Sequence, residues 1–240
     1  MKIKIGPSII AGDFSDLRKT IKKIEKSGSD FIHVDIMDGV YVRNITFGPM
    51  IVEAIRKLTT MPLEIHLMIV EPVRYIRRFK NFVPALISFH VEATEKVKET
   101  IDEIHHFTRA GIAINPETDI SEIERYLKDI EQVLVMTVYP GFSGQKFRED
   151  AAYKIKELKE IKENKRLNFE IAVDGGLNKE NIPYVLELGA ECLCIGSFFF
   201  KYKRINSYIR ELKKSARWDL NPQPSPPEGD ALSKLSYGRP

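Results

Sequence analysis

The run Phe31-Ile32-His33-Val34-Asp35-Ile36-Met37-Asp38-Gly39 (FIHVDIMDG, residues 31–39) sets His33 and Asp35 two residues apart in an otherwise apolar, strand-like stretch. Side chains along a strand alternate faces, so His33, Asp35 and Met37 point one way while Val34 and Ile36 point the other. An imidazole and a carboxylate on one face of a buried strand are costly unless something pairs with them. A hydrogen bond between the two would do so, and so would a divalent cation. The choice turns on whether similar residues recur at other strand ends.

Working outward, short β-branched runs alternate with amphipathic charged runs. The pattern predicts strands at Ile3–Ile10, Phe31–Asp35, Leu63–Met68, Ala85–His90, Gly111–Ile114, Gln132–Thr137, Phe169–Asp174 and Cys192–Gly196. Between them it predicts helices at Ser15–Lys26, Pro49–Leu58, Pro72–Lys80, Thr94–Phe107, Ile120–Asp129, Asp150–Glu163, Lys179–Leu188 and Arg204–Lys214. Asp13 or Ser15 would cap the first helix, and Pro49 and Pro72 suit a first turn. Gly28, Gly111 and Gly189 are read as left-handed residues ending helices. Eight strand–helix units match a (β/α)₈ TIM barrel of about 250 residues. A doubly wound open sheet is the alternative, but eight units with no lone edge strand favour closure. One barrel domain is expected over residues 1–214. From 215 to 240 the chain turns rich in Pro, Gly and Ser, with Pro222, Pro224, Pro226 and Pro227. That segment is read as a disordered tail outside the functional unit.

Composition narrows the class. With 43% apolar and 30% charged residues the 240-residue chain reads as an ordinary soluble protein. A formal charge of +3, with lysines interleaved among glutamates, argues against a nucleic-acid surface. The two cysteines, Cys192 and Cys194, imply no disulfide framework and suit a reducing cytoplasm. No N-terminal signal peptide and no membrane-spanning apolar run is evident.

In a TIM barrel the active site lies at the C-terminal ends of the strands. The polar residues expected there are Ser8, His33, Asp35, His66, His90, Asp174 and Ser197. His33, Asp35, His66 and Asp174, from three strands, form a donor set suited to zinc, iron(II), manganese or cobalt. Strands two and seven stand three places apart around the ring. Asp35 and Asp174 therefore suit taking a proton from one face of a carbon and returning one to the other, as base and acid. A cation lowers both carboxyl pKa values while their mutual repulsion raises one, so the pair titrates as a unit.

Gly175-Gly176 after strand seven and Gly196-Ser197 after strand eight stand where such barrels hold phosphate. Gly141-Phe142-Ser143-Gly144-Gln145 after strand six reads as a mobile loop able to cover an enediolate and exclude water. Met37, Met68 and Met136 fall on positions facing the site, either as filling or as soft, non-titrating cover.

Taken in order, PSIIAGDF (7–14), HVDIMDG (33–39), NITFGP (44–49), HLMIVEP (66–72), FHVEAT (89–94), MTVYPGFSGQKF (136–147) and VDGGL (173–177) resemble the ribulose-phosphate 3-epimerase family across residues 2–214. The resemblance implies one divalent metal and interconversion of D-ribulose 5-phosphate and D-xylulose 5-phosphate at C3, in the pentose phosphate pathway. It implies His33, Asp35, His66 and Asp174 as metal ligands, Asp35 as proton acceptor and Asp174 as proton donor. Ser8, His66, Gly141–Gln145, Asp174, Gly175–Gly176 and Gly196–Ser197 would contact the phosphorylated ketopentose. Met37, Met68 and Met136 are similar to the sulfur residues lining the family's pocket. A homo-oligomer is expected. Two positions depart from the pattern: Arg43 where proline is usual, and Tyr139 where Asn, Asp or Glu commonly precedes PGF. The alternatives are a D-allulose-6-phosphate 3-epimerase, another phosphate-binding barrel enzyme such as a metal-assisted decarboxylase or lyase, and a non-catalytic barrel.

Overall fold

In the computed structural model, which describes residues 3–218, eight parallel strands form one ring. They are β1 Lys4–Pro7, β2 Ile32–Met37, β3 Leu63–Met68, β4 Leu86–His90, β5 Arg109–Ile114, β6 Gln132–Met136, β7 Glu170–Asp174 and β8 Cys192–Ile195. From β2 to β8 each strand pairs with the next in chain order, and β8 pairs with β1. Between β1 and β2 the ring closes through a parallel bridge at Ser8 and His33 and a 2.8 Å hydrogen bond from the Asp30 N–H to the Ile5 carbonyl. This is the (β/α)₈ barrel that the alternation of β-branched and amphipathic runs requires.

The α-helices among the described residues are α1 Leu17–Glu25, α2 Pro49–Leu58, α3 Val97–His105, α4 Glu149–Lys165, α5 Ile182–Leu188, α6 Ser197–Lys201 and α7 Ile205–Trp218. Outward-facing Val34, Ile36, Ile65, Leu67, Ile112, Val133 and Val135 meet buried helix residues such as Ile21, Ile24, Ile55 and Ile155 in a continuous apolar layer. Each such side chain contributes about 1.5–3 kcal/mol by leaving water, which is why the helices stay docked.

Several boundaries differ from the periodicity reading. Two connections expected as α-helices are 3₁₀ segments: Pro72–Arg74 with Ile76–Phe82, and Ile120–Glu122 with Glu124–Asp129. Their buried anchors, Ile76 with Phe79 and Ile120 with Ile123, are three apart, a spacing that three residues per turn serves as well as 3.6. Asp13 caps a 3₁₀ turn at Phe14–Asp16, and Asp16 caps α1 through the Lys19 N–H, so the first helix starts at Leu17. Gly28 and Gly189 have φ of +84° and +117°, as helix-ending residues. Gly111 does not: it lies inside β5, where a Cβ would meet the Ser88 Cβ at 3.1 Å. Helix α7 continues to Trp218, four residues past the expected boundary. The remainder of the Pro-rich tail, 219–240, lies outside the described residues.

Inside the ring, Phe31, Ala113, Leu134, Ala172, Cys192 and Cys194 fill the middle. Below them Glu64 is within 3.4 Å of the Gln132 amide, and Lys4 is paired with Glu170. Phe31 fits only because β1 carries Gly6 opposite it: a Cβ there would stand 1.9 Å from the Phe31 ring. Gly6→Ala is accordingly expected to cost about 1–3 kcal/mol by overpacking. Chemical denaturation measures this, and an unchanged midpoint would show that the ring can move aside.

Candidate active site and metal centre

Strand register assembles the site. Asp35 of β2 sits opposite His66 of β3, His33 sits opposite Ser8, and Met136 of β6 sits opposite Asp174. One donor atom from each of His33, Asp35, His66 and Asp174 lies within 4.8 Å of all the others. The His33 Nε2 and His66 Nδ1 atoms are each 3.2 Å from Asp35 Oδ1. They are 3.7 and 3.9 Å from Asp174 Oδ2. His33 Nε2 is buried in a geometry that makes no hydrogen bond to either carboxylate. A buried nitrogen without a hydrogen-bond partner, aimed at two carboxylates beside a second imidazole, belongs to a donor set that could hold a divalent cation. The residues present fit a metal.

The electrostatics separate the two aspartates. Burial alone would raise the Asp35 carboxyl, but His33 and His66 beside it hold it far below the ordinary carboxylate range. Asp174 is pushed up by burial and by the negative charge of Asp35. Burial would likewise lower His33, yet the Asp35 charge outweighs it and raises the imidazole to about 9. His66 is pushed down by burial to about 4, so its ring is neutral at pH 7. Oppositely displaced carboxyl groups in one cleft are the usual signature of an acid and a base.

Above this cluster opens a mouth with about 550 Å³ of open space, lined on its floor by Ser8, Asp35 and Asp174. Met37, Met68 and Met136 line its walls, and the loop Gly141–Gln145 overhangs it. Gly175, Gly176, Gly196 and Ser197 complete the far side. His33 and His66 do not reach the wall; they lie beneath it, and His66 is fully buried. The Ser8 hydroxyl donates to Asp35 Oδ2, so this residue holds a carboxylate as well as lining the mouth.

Glycine is required at the far side. Gly175 and Gly176 have φ of +121° and +64°, and Cβ atoms there would come within 2.6 Å of Val138 and of the Phe147 nitrogen. The Thr137 hydroxyl donates to the Gly175 carbonyl at 2.6 Å, tying the loops after β6 and β7 together.

The overhanging loop is anchored from several sides. The Asn44 amide donates to the Gly141 carbonyl at 2.6 Å. The Gln145 amide nitrogen is spent within the loop, on the carbonyls of Tyr139 and Phe142. Tyr139, one of the two departures, donates its hydroxyl to Glu117 and lies under the Arg148 guanidinium, 4.8 Å from its ring centre. Arg43, the other, is exposed. Losing the Asn44 contact should free the loop: Asn44→Ala is expected to raise KM about fivefold, the worth of one hydrogen bond. Steady-state kinetics would read it, and an unchanged KM would mean the loop closes without that tie.

The residue reading missed several participants. Cys194 Sγ lies 3.3 Å from His33 Nδ1. Burial alone would raise the Glu92 carboxyl, but hydrogen bonds from His90, Thr118 and the Asn115 N–H hold it low, at about 2. Tyr41 and Asn44 came from loops with no periodic signal. Glu92 carried one: His90-Val91-Glu92 repeats the i, i+2 spacing of His33-Val34-Asp35.

A TIM barrel with a His₂Asp₂ cluster under a glycine-rimmed mouth defines the class: a barrel enzyme with a candidate metal centre at the C-terminal ends of its strands. Residues 4–200 match the Ribulose-phosphate 3 epimerase family. The chain is 45% identical over 215 residues to the ribulose-phosphate 3-epimerase of Bacillus subtilis, covering 89% of this chain and 99% of that one. It is 40% identical to the corresponding protein of Methanocaldococcus jannaschii, covering 91% and 93%. The chain belongs to the ribulose-phosphate 3-epimerase family. Solved structures sharing the fold include KGPDC from Streptococcus mutans, with TM-score 0.66 and 13% identity over 92% of this chain and all of that one. A mutant tryptophan synthase alpha-subunit from Pyrococcus furiosus aligns with TM-score 0.63 and 13% identity over 88% and 95%. These last two bear on the fold alone.

Proposed function

We propose that the chain interconverts D-ribulose 5-phosphate and D-xylulose 5-phosphate by proton transfer at C3, with Asp35 as acceptor and Asp174 as donor. The observation that carries the reading is the pair itself: two carboxylates from β2 and β7 on the floor of one mouth, their pKa values displaced in opposite directions. Asp35, ionised, takes the C3 proton; Asp174, the weaker acid of the two, supplies one to the opposite face. His33, Asp35, His66 and Asp174 would hold one divalent cation, zinc, iron(II), manganese or cobalt, which would supply charge stabilisation for an enediolate. It would lower both carboxyl pKa values, so their order rather than their position matters. Gly175, Gly176, Gly196 and Ser197 are proposed to receive the phosphate through backbone N–H groups. Ser8 and His66 are proposed as further substrate contacts, His66 from below the floor. Gly141–Gln145, with Phe142 and Ser143 at its crest, would close over the sugar and keep water from the intermediate.

The methionines give an apolar, non-titrating wall that offers no competing base. Among the described residues no helix is long and apolar enough to cross a membrane. A cytoplasmic, homo-oligomeric enzyme is part of the same proposal, to be read from fractionation and sedimentation. The decisive assay offers the purified protein D-ribulose 5-phosphate and D-allulose 6-phosphate in parallel. Preferred turnover of the pentose supports the reading; preferred turnover of the hexose, or cleavage of a C–C bond, overturns it.

A further inference from the structure

His90 closes β4 directly behind His66, and no step above uses it. It is fully buried, and the two rings are stacked with centres 5.0 Å apart. Their Nε2 atoms face each other at 2.9 Å. On its other side His90 Nδ1 is 3.3 Å from Glu92 Oε2.

Glu92 is in turn fixed by three further donors from two segments, the loops after β2 and β5. The Asn115 N–H reaches Oε1 at 2.8 Å, the Tyr41 hydroxyl reaches Oε2 at 3.1 Å, and the Thr118 hydroxyl donates to Oε1. An ionised carboxylate only accepts. The proton on this side of His90 therefore sits on Nδ1; in the neutral ring that leaves Nε2 bare and able only to accept. His66 must then donate from its own Nε2, and its Nδ1 keeps a lone pair. That lone pair points toward Asp35 Oδ1, 3.2 Å away. Two acceptors face to face at that distance repel, and a cation between them turns repulsion into ligation.

We propose that Glu92, acting through His90, is a positioning residue that fixes His66 in its Nε2–H tautomer and so presents Nδ1 as a ligand to the divalent cation. The proposal rests on the metal-site reading above. Carboxylate–imidazole strings of this kind orient metal ligands generally, and their loss weakens metal binding about 10–100-fold. Here the string is one imidazole longer, and the same carboxylate also holds the segments after β2 and β5 around the site. If His90 instead carried both protons, its bond to Glu92 would stand but its bond to His66 would reverse, and the neutral His66 ring would carry its proton on Nδ1, toward Asp35.

The test begins with the zinc-loaded, ¹⁵N-histidine-labelled wild-type protein and its long-range nitrogen–proton correlation spectrum at pH 7. The expected pattern is His66 protonated at Nε2 and His90 protonated at Nδ1 alone. A proton on His66 Nδ1, or on both nitrogens of His90, overturns the proposal. Glu92→Gln, compared by chelator competition, is expected to bind zinc about 10–100-fold more weakly than wild type. A folded Glu92→Gln protein within twofold of wild-type affinity also overturns it. Should that variant fail to fold, the wild-type spectrum decides. A wild-type chain that binds no zinc would instead sink the metal-site reading. The metal-free spectrum would then still be required to show the His90 Nδ1 proton, and its absence would overturn the tautomer assignment separately.

Discussion

Replacing Asp35 or Asp174 by Asn is expected to lower epimerisation by about 10³-fold while leaving a folded barrel. Each amide keeps the volume of the carboxyl but neither takes nor supplies a proton at C3. The two losses should not be identical. In the proposed mechanism each aspartate would face the C3 hydrogen of only one of the two epimers, so each variant is expected to lose solvent exchange with one substrate and retain part of it with the other. Deuterium uptake at C3, followed by NMR with D-ribulose 5-phosphate and D-xylulose 5-phosphate separately, reads that asymmetry. Circular dichroism checks that the barrel persists. Epimerisation within tenfold of wild type in either variant would sink the two-aspartate assignment. The proposed ligand role of both residues adds weaker metal binding, so the assays are run at saturating metal.

The second large effect is metal removal. Stripping the cation with a chelator is expected to abolish turnover, and adding back zinc, iron(II), manganese or cobalt should restore it. The affinity should depend on pH in a defined direction. His33 holds a proton up to about pH 9 in the metal-free protein, because the Asp35 charge outweighs the burial that would lower it. A ligand nitrogen must be bare, so at pH 6–8 binding has to displace that proton. Apparent affinity therefore rises with pH by up to about tenfold per unit between about pH 7 and 9, more steeply below pH 7 where Asp174 is protonated as well, and levels off near pH 9. Calorimetry in buffers of different ionisation heat should find between one and two protons released per metal at pH 7, one from His33 and a fraction from Asp174, whose carboxyl is raised to about 7. Metal binding should also raise thermal stability, by about 2.7 kcal/mol at a hundredfold excess over Kd. A metal-free preparation with full activity would refute the site's role. Affinity that falls with rising pH would refute the His33 assignment.

Without metal, the same His33 proton links pH to folding. Its folded-state pKa is raised above the unfolded value, so its contribution to stability is complete below about 6.5. That contribution is lost as pH rises toward about 9.

How far the sequence reaches is clearest in β2. Period-two alternation alone put His33, Asp35 and Met37 on one face, and in the structure all three turn inward, with Val34 and Ile36 against the helices. Alternation likewise placed Asp174, Met68 and Met136 at the mouth. The 3₁₀ segments were not legible, because anchors three apart fit both helix types and the choice falls to the packing of the neighbouring strands. Gly111 misled for a related reason: a glycine after a helical run reads as a cap, whereas its lack of a side chain serves the crowding against Ser88.

What the sequence by itself determined is the barrel and the face on which its donor residues stand, because hydrophobic period is local and eight repeats of it admit few closures. What only the tertiary structure decided is what each donor touches behind the site. Cys194 meets His33 across 161 positions, and His90 lies behind His66 across 24. Such partners follow from strand register and ring packing, and no pattern along the chain encodes a distance through space. The ordering of the two carboxyl pKa values belongs with them, since it comes from burial and from charges brought together only when the ring closes.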